Sequence, residues 1–204
     1  MSNVVLAQDA GLVAQPAGQA RTLPRIAIVG PAPPPPGGMA NQCRQLVRLL
    51  RDEGANVVFV RTNAPYRPAW IGSVPLVRAA FRLVPYVAGL WRGLARVDVV
   101  HVFANSGWAW HLFAAPALVV ARVRRVPAVV NYRGGHAAAF LAKAPRHVSW
   151  MLRHAVAIVA PSAYLARVFG AHGIAAAIVP NIVDLRCFSL RPVRDFGDSP
   201  HLVV

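Results

Sequence analysis

Arg25-Ile26-Ala27-Ile28-Val29-Gly30, running on into Pro31-Ala32-Pro33-Pro34-Pro35-Pro36-Gly37-Gly38-Met39, is the stretch that decides the fold. Its first half is a short apolar run without in-and-out alternation, the pattern of a strand buried on both faces. The prolines hold the next segment extended, and the paired glycines let a backbone come close to a ligand. The spacing beyond them predicts a helix over 38–53, with Met39, Cys43, Leu46, Val47 and Leu50 on one face and Arg44, Arg48 and Arg51 on another. Unsatisfied N–H groups and the helix dipole at its start suit a phosphate. The spacing is neither a dinucleotide fingerprint nor a Walker loop, because GxGxxG and a Lys-Ser/Thr pair are both missing. A tight strand-to-helix turn accounts for the same glycines without any ligand.

Outward from this stretch the same alternation repeats. Further strands are expected at 56–61, 97–103, 128–132, 155–160 and 177–180, and helices at 76–96, 107–124, 146–154 and 162–171. Strand and helix in turn predict an α/β fold, a Rossmann-like parallel sheet with helices on both faces. Ligands of such sheets bind beyond the carboxyl ends of the strands, which directs attention to the loops after Gly30, Arg61, Phe103, Tyr132, Ala160 and Pro180. Residues 1–24 read as a flexible tail, 25–194 as the domain, and 195–204 as a linker entering another strand at His201-Leu202-Val203-Val204. That ending raises the expectation of a fragment whose second half would follow.

The chain has 204 residues, 56% of them hydrophobic and 14% charged, which supports a sizeable core. Its 22 Lys and Arg against 7 Asp and Glu give a net charge of +15, and Lys143 is the only lysine. Such a balance favours anionic partners, although a compositional bias toward Arg, Ala, Val and Pro produces it equally well. With so few acids a two-carboxylate hydrolase site has little to draw on. Cys43 and Cys187 are too few for a disulfide framework or a zinc site, which fits a reducing cytoplasm. The start lacks a basic leader region, and the most apolar run, Gly107 to Ala121, is short of the roughly 20 residues a bilayer demands. The charge alone suggests nucleic acid, but no aromatic RNA-binding motif or helix-turn-helix pattern supports it.

Four segments in register carry a family resemblance. The proline loop ending Gly37-Gly38-Met39 before an amphipathic helix resembles the opening of the retaining family 4 glycosyltransferases. Ala128-Val129-Val130-Asn131-Tyr132-Arg133-Gly134-Gly135 resembles their strand-end loop near the transfer site. Ala160-Pro161-Ser162-Ala163-Tyr164-Leu165 resembles a late helix start, and Val179-Pro180-Asn181-Ile182-Val183-Asp184 resembles the stretch leading to the interdomain hinge. The chain departs from the family pattern at Ile182, where Gly is common, and at Arg133, where His is common. The resemblance implies the N-terminal, acceptor-side half of a GT-B enzyme. Such an enzyme would transfer a sugar with retention from a nucleotide-sugar donor to a carbohydrate or lipid-linked acceptor, without a metal or organic cofactor.

On that resemblance Arg133 is the candidate catalytic cation, and Gly37, Gly38 and Met39 are the donor-phosphate contacts. Asn105, Ser106 and His136 are candidate acceptor contacts, although an ordinary turn explains the first two as well. His101, inside a strand run, reads as a core histidine. In the segment 76–96, Arg78, Arg82, Arg92 and Arg96 share one direction on a helical wheel, while Leu83, Val87, Leu90, Trp91 and Leu94 point the other way. Such a helix suits an anionic membrane surface on the cytoplasmic side, or simply packs on the sheet with solvated arginines. Pro85 is expected to kink it, which leaves room for two shorter pieces. A rival to the enzyme is a non-catalytic module that binds an anion, a lipid or a polysaccharide.

Overall fold

The computed structural model describes residues 23–64, 75–144 and 146–183, and only the backbone for 75–81. Six strands form one sheet: β1 (Ile26–Gly30), β2 (Val57–Arg61), β3 (Val99–Ala104), β4 (Ala128–Tyr132), β5 (Ala157–Ala160) and β6 (Ala177–Ile178). Their order across the sheet is β2-β1-β3-β4-β5-β6, and every pairing is parallel. Between them run α1 (Gly38–Asp52), α2 (Pro75–Gly93), α3 (Ala115–Val123), α4 (Ala137–Ala142), α5 (Arg146–Arg153) and α6 (Ala163–Ala171). The Rossmann-like architecture is as expected. The expected strand at 201–204 lies outside the described residues.

The chain steps one way from β1 to β2 and the other way ever after. Right-handed crossovers therefore put α1 on one face and the later helices on the other. Alternate strand residues serve the two layers. Ala27, Val29, Val60, Val102, Val130 and Tyr132 meet Leu90, Trp110, Leu118, Leu152 and Phe169 in the larger core. Ile28, Val57 and Phe103 meet Cys43 and Val47 of α1 in the smaller one. Where β1, β3 and α1 converge, a Cβ on Gly30 would stand 2.5 Å from Cys43 Sγ and 3.1 Å from Phe103 Cβ, so a side chain there would have to displace the buried thiol.

Three local departures have physical causes. α2 runs unbroken through Pro85; the ring removes one backbone bond, while burial of Tyr86, Leu90 and Leu94 holds the second half to the core. The helix expected over 107–124 contains a π-helical turn at Trp110–Ala114 before α3. Pro116 has no N–H for the carbonyl one turn back, and the wider turn precedes it. α4, unexpected from the sequence, occupies an Ala-rich run inside a segment read only as a loop.

Candidate functional site

A cleft of about 530 Å³ opens at the carboxyl ends of the first three strands. The proline loop and Gly37, Gly38 and Met39 form one wall; Thr62 and Asn63 after β2 form another. Phe103 and Asn105 come from the end of β3, Arg82 from α2, and Phe113 from the π-helical turn. Asn63 pins the loop. Its carboxamide accepts from Ala32 N–H at 2.8 Å and donates to the Ala32 carbonyl at 2.7 Å.

The start of α1 is bare on the cleft side. Gly37 provides no side-chain cap, and the first turn holds no acidic residue. By contrast, Ser162 caps α6 by accepting from Leu165 N–H at 3.4 Å. An uncapped 15-residue helix leaves its first N–H groups and positive dipole end available to an anion. Neither glycine there is demanded by the turn. Gly37 is extended, with φ −177°, and a Cβ on Gly37 or Gly38 would meet nothing within 4 Å.

The structure brings Gly37, Gly38, Met39 and Asn105 together in this cleft. Ser106, Arg133 and His136 are not among its lining residues. Asn105 is exposed, and its Oδ1 accepts from Ser106 N–H at 2.8 Å. Ser106 Oγ shares a 2.7 Å hydrogen bond with the Tyr132 hydroxyl, whose pKa burial raises and that bond lowers. His136 is exposed at the N-cap of α4.

Arg133 sits behind Phe103, its guanidinium carbon 5.5 Å from the ring centroid. Its Nε donates to Asn131 Oδ1 at 2.8 Å, and a terminal nitrogen donates to Asn181 Oδ1. Asn131 Nδ2 lies 2.9 Å from His101 Nε2. Burial, and then Arg133, push the His101 pKa down to about 4, so the ring is neutral near pH 7 and Nε2 is free to accept. Burial also lowers the pKa of Arg133. The Cys43 thiol, pushed up to about 12 by burial despite Arg133, stays protonated and inert. Gln42 of α1 completes the arrangement by bonding both N–H and carbonyl of Ile182, at 2.9 and 2.8 Å. His101 is thus polar-bonded in the sheet, and the role of Asn131, Asn181, Gln42 and Asn63 escaped the sequence reading. A polar Asn inside the apolar run of β4 was the available signal.

The outer surface of α2 differs from the expected basic face. Arg82 lines the cleft, Arg92 and Arg96 are exposed, and the Arg78 side chain lies outside the described residues. Trp91, which the helical wheel puts on the side of Leu90 and Leu94, is 48% exposed; Val84 is 68% and Val123 of α3 is 62% exposed. The Arg124 guanidinium lies 4.1 Å above the Trp91 ring. Among the described residues no three His, Cys, Asp or Glu side chains gather where a metal could bind, and no helix is long and apolar enough to cross a membrane.

A model of Glycosyltransferase Family 4 matches residues 36–186, from the end of the proline loop to just beyond the Asn181–Ile182 contacts. The chain belongs to that family. No curated protein matches the sequence. Among solved structures, the family 4 domain is similar to UDP-N-acetylglucosamine 2-epimerase from Rickettsia bellii, at 10% identity and a TM-score of 0.49, covering 78% of this chain and 45% of that one. It is also similar to a 2-deoxyribosyltransferase from Bacillus psychrosaccharolyticus, at 12% identity and a TM-score of 0.38, covering 65% of this chain and 84% of that one. The domain thus spans less than half the length of the epimerase, and likenesses this distant do not bear on its site.

Proposed function

We propose that this domain is the acceptor-side half of a retaining GT-B glycosyltransferase, taking sugar from a nucleotide-sugar donor to a carbohydrate or lipid-linked acceptor. The observation that carries the reading is the bare start of α1, facing a cleft that also holds Arg82 and Asn105. A departing donor phosphate seated at Gly37, Gly38 and Met39 would meet free N–H groups and the positive helix end. The bond between the anomeric carbon and that phosphate breaks as the acceptor oxygen bonds on the same face. The acceptor's proton passes to the phosphate. Arg133 keeps donors beyond those given to Asn131 and Asn181, and these would add positive charge as the phosphate departs. Asn105, with Ser106 and His136 farther out, would meet acceptor hydroxyls. Family membership and the cleft together favour this reading over a non-catalytic anion- or polysaccharide-binding module. Incubating the full-length protein with labelled nucleotide sugars and carbohydrate or lipid-linked acceptors should yield a product with the donor's anomeric configuration. An inverted product, or hydrolysis without transfer, would count against it.

We propose further that a lipid-linked acceptor is met at the cytoplasmic membrane face through α2 and α3. Val84, Trp91 and Val123 are exposed beside Arg92, Arg96 and Arg122, an apolar patch with a cationic rim that suits anionic lipid at about 1 kcal/mol per arginine near the surface. Arg92→Glu/Arg96→Glu should reduce co-sedimentation with anionic vesicles and leave neutral-vesicle controls unchanged. Equal sedimentation of wild type and variant would remove this surface from the account.

A further inference from the structure

α1 carries a basic stripe, Arg44, Arg48 and Arg51, spaced four and three residues apart and so stacked along one side of the helix. That stripe is one wall of a second cleft of about 330 Å³, separate from the one at Gly38. β2, the edge strand of the sheet, provides Phe59 and Arg61, and Ala32 and Pro33 of the proline loop complete the lining. The loop thus contributes to both clefts, and Asn63 pins it from the other side.

Four guanidinium groups and one carboxylate line this space. Arg48 lies 3.6 Å from Asp52 in a pair more than half exposed, a contact that water screens. Arg51 donates to the Val57 carbonyl at 3.1 Å. The Arg44 and Arg61 guanidinium groups have no hydrogen-bond or ion-pair partner among the described residues. An ordinary solvated helix face intersperses both signs; here a concave surface collects one sign and its single acid is already paired. Guanidinium groups held together in this way repel one another. An oxyanion between them relieves that repulsion and accepts forked pairs of N–H donors.

We propose that this cleft is a binding site for a phosphate-class oxyanion, a phosphoryl or pyrophosphoryl group, with Arg44 and Arg61 as its direct contacts and Arg48 and Arg51 supplying the surrounding positive potential. The site stands on the arginine geometry and does not depend on the proposed transfer reaction. A soluble phosphorylated molecule and a lipid headgroup present the same chemistry, so the test has two arms. In the first, sodium pyrophosphate is titrated calorimetrically into the protein at low ionic strength. Arg44→Gln/Arg61→Gln should weaken binding about tenfold or more, the loss expected for a charged hydrogen bond. Asp52→Asn should tighten it by removing the competing acid. Arg146→Gln/Arg167→Gln, an equal loss of charge on exposed residues of α5 and α6, should leave it unchanged. In the second, vesicles of phosphatidylglycerol and phosphatidylcholine replace pyrophosphate. Binding to these alone, lost in Arg44→Gln/Arg61→Gln and kept in Arg146→Gln/Arg167→Gln, identifies a headgroup as the source. Wild type binding neither probe, or both arginine pairs weakening binding equally, would overturn the proposal and leave only net charge.

Discussion

A Cβ on Gly134 would stand 2.8 Å from Asn105 Oδ1 and 2.9 Å from Ser106 N, and would press on Ser106 Oγ. The loop after β4 therefore packs against the loop after β3 so closely at Gly134 that a side chain there has no room. Gly134→Ala should cost about 1–3 kcal/mol in stability, read by urea denaturation, because backbone rather than a flexible side-chain end must yield. An unchanged midpoint would show that the two loops separate freely. His101 offers a pH test. In the unfolded chain a histidine binds its proton near pH 6.5, whereas in the fold it does so only near pH 4. The folded state refuses a proton that the unfolded state accepts between these values. The stability His101 contributes is therefore full above about pH 6.5 and lost as pH falls toward 4, by a few kcal/mol at about 1.4 kcal/mol per unit. His101→Gln should flatten that part of the stability profile relative to wild type. Equal slopes would mean that the ring is not shielded as its contacts with Asn131 and Arg133 imply.

α1, α3 and α6 all end in one way, with paired backbone bonds reaching back over the last turn and a left-handed residue just past the cap. At α1 that residue is Gly54 with φ 85°, and at α6 it is Gly173 with φ 66°. At α3 it is Arg125 with φ 58°, whose N–H bonds Arg122 O while Val126 N–H bonds Ala121 O. A side chain in that conformation carries a steric cost that glycine avoids. Arg125→Gly should raise stability by about 1 kcal/mol and the melting temperature with it. A lower melting temperature would show that the arginine side chain contributes more than its backbone costs. Helix ends marked by glycine could be read in the sequence, and α1 and α6 fell where expected. The end of α3, with Arg in glycine's place, carried no such mark, and neither did the π-helical turn before it, because periodicity does not distinguish a widened turn from a regular one. Trp91 is exposed although a wheel assigns it to the side of buried Leu90 and Leu94, because a wheel gives a residue's direction and not what packs against it.

At the scale of the molecule, the alternation of short apolar strands and longer helices was enough to predict the parallel sheet, since strands buried on both faces leave a plain signature. The cleft was legible in part. Gly37, Gly38, Met39 and Asn105 follow strand ends and could be located from topology alone. The Asn63 clamp, the His101–Asn131–Arg133–Asn181 chain and the Gln42–Ile182 pair join residues distant in sequence. Only the folded sheet, which sets β1, β3 and β4 side by side, brings them together. A donor phosphate at the start of α1 would lie before Gly38, where nothing in the fold fills the space, so a side chain there isolates its effect. The measurement is sugar transfer by the full-length protein and by its Gly38→Val variant, alongside their melting temperatures. Transfer should be lost while the melting temperature stays within about 2 °C, since surface substitutions away from packing cost about 0.5 kcal/mol or less. Transfer that survives Gly38→Val, or a melting temperature that falls together with it, would mean that no phosphate is held there and that these glycines serve the turn.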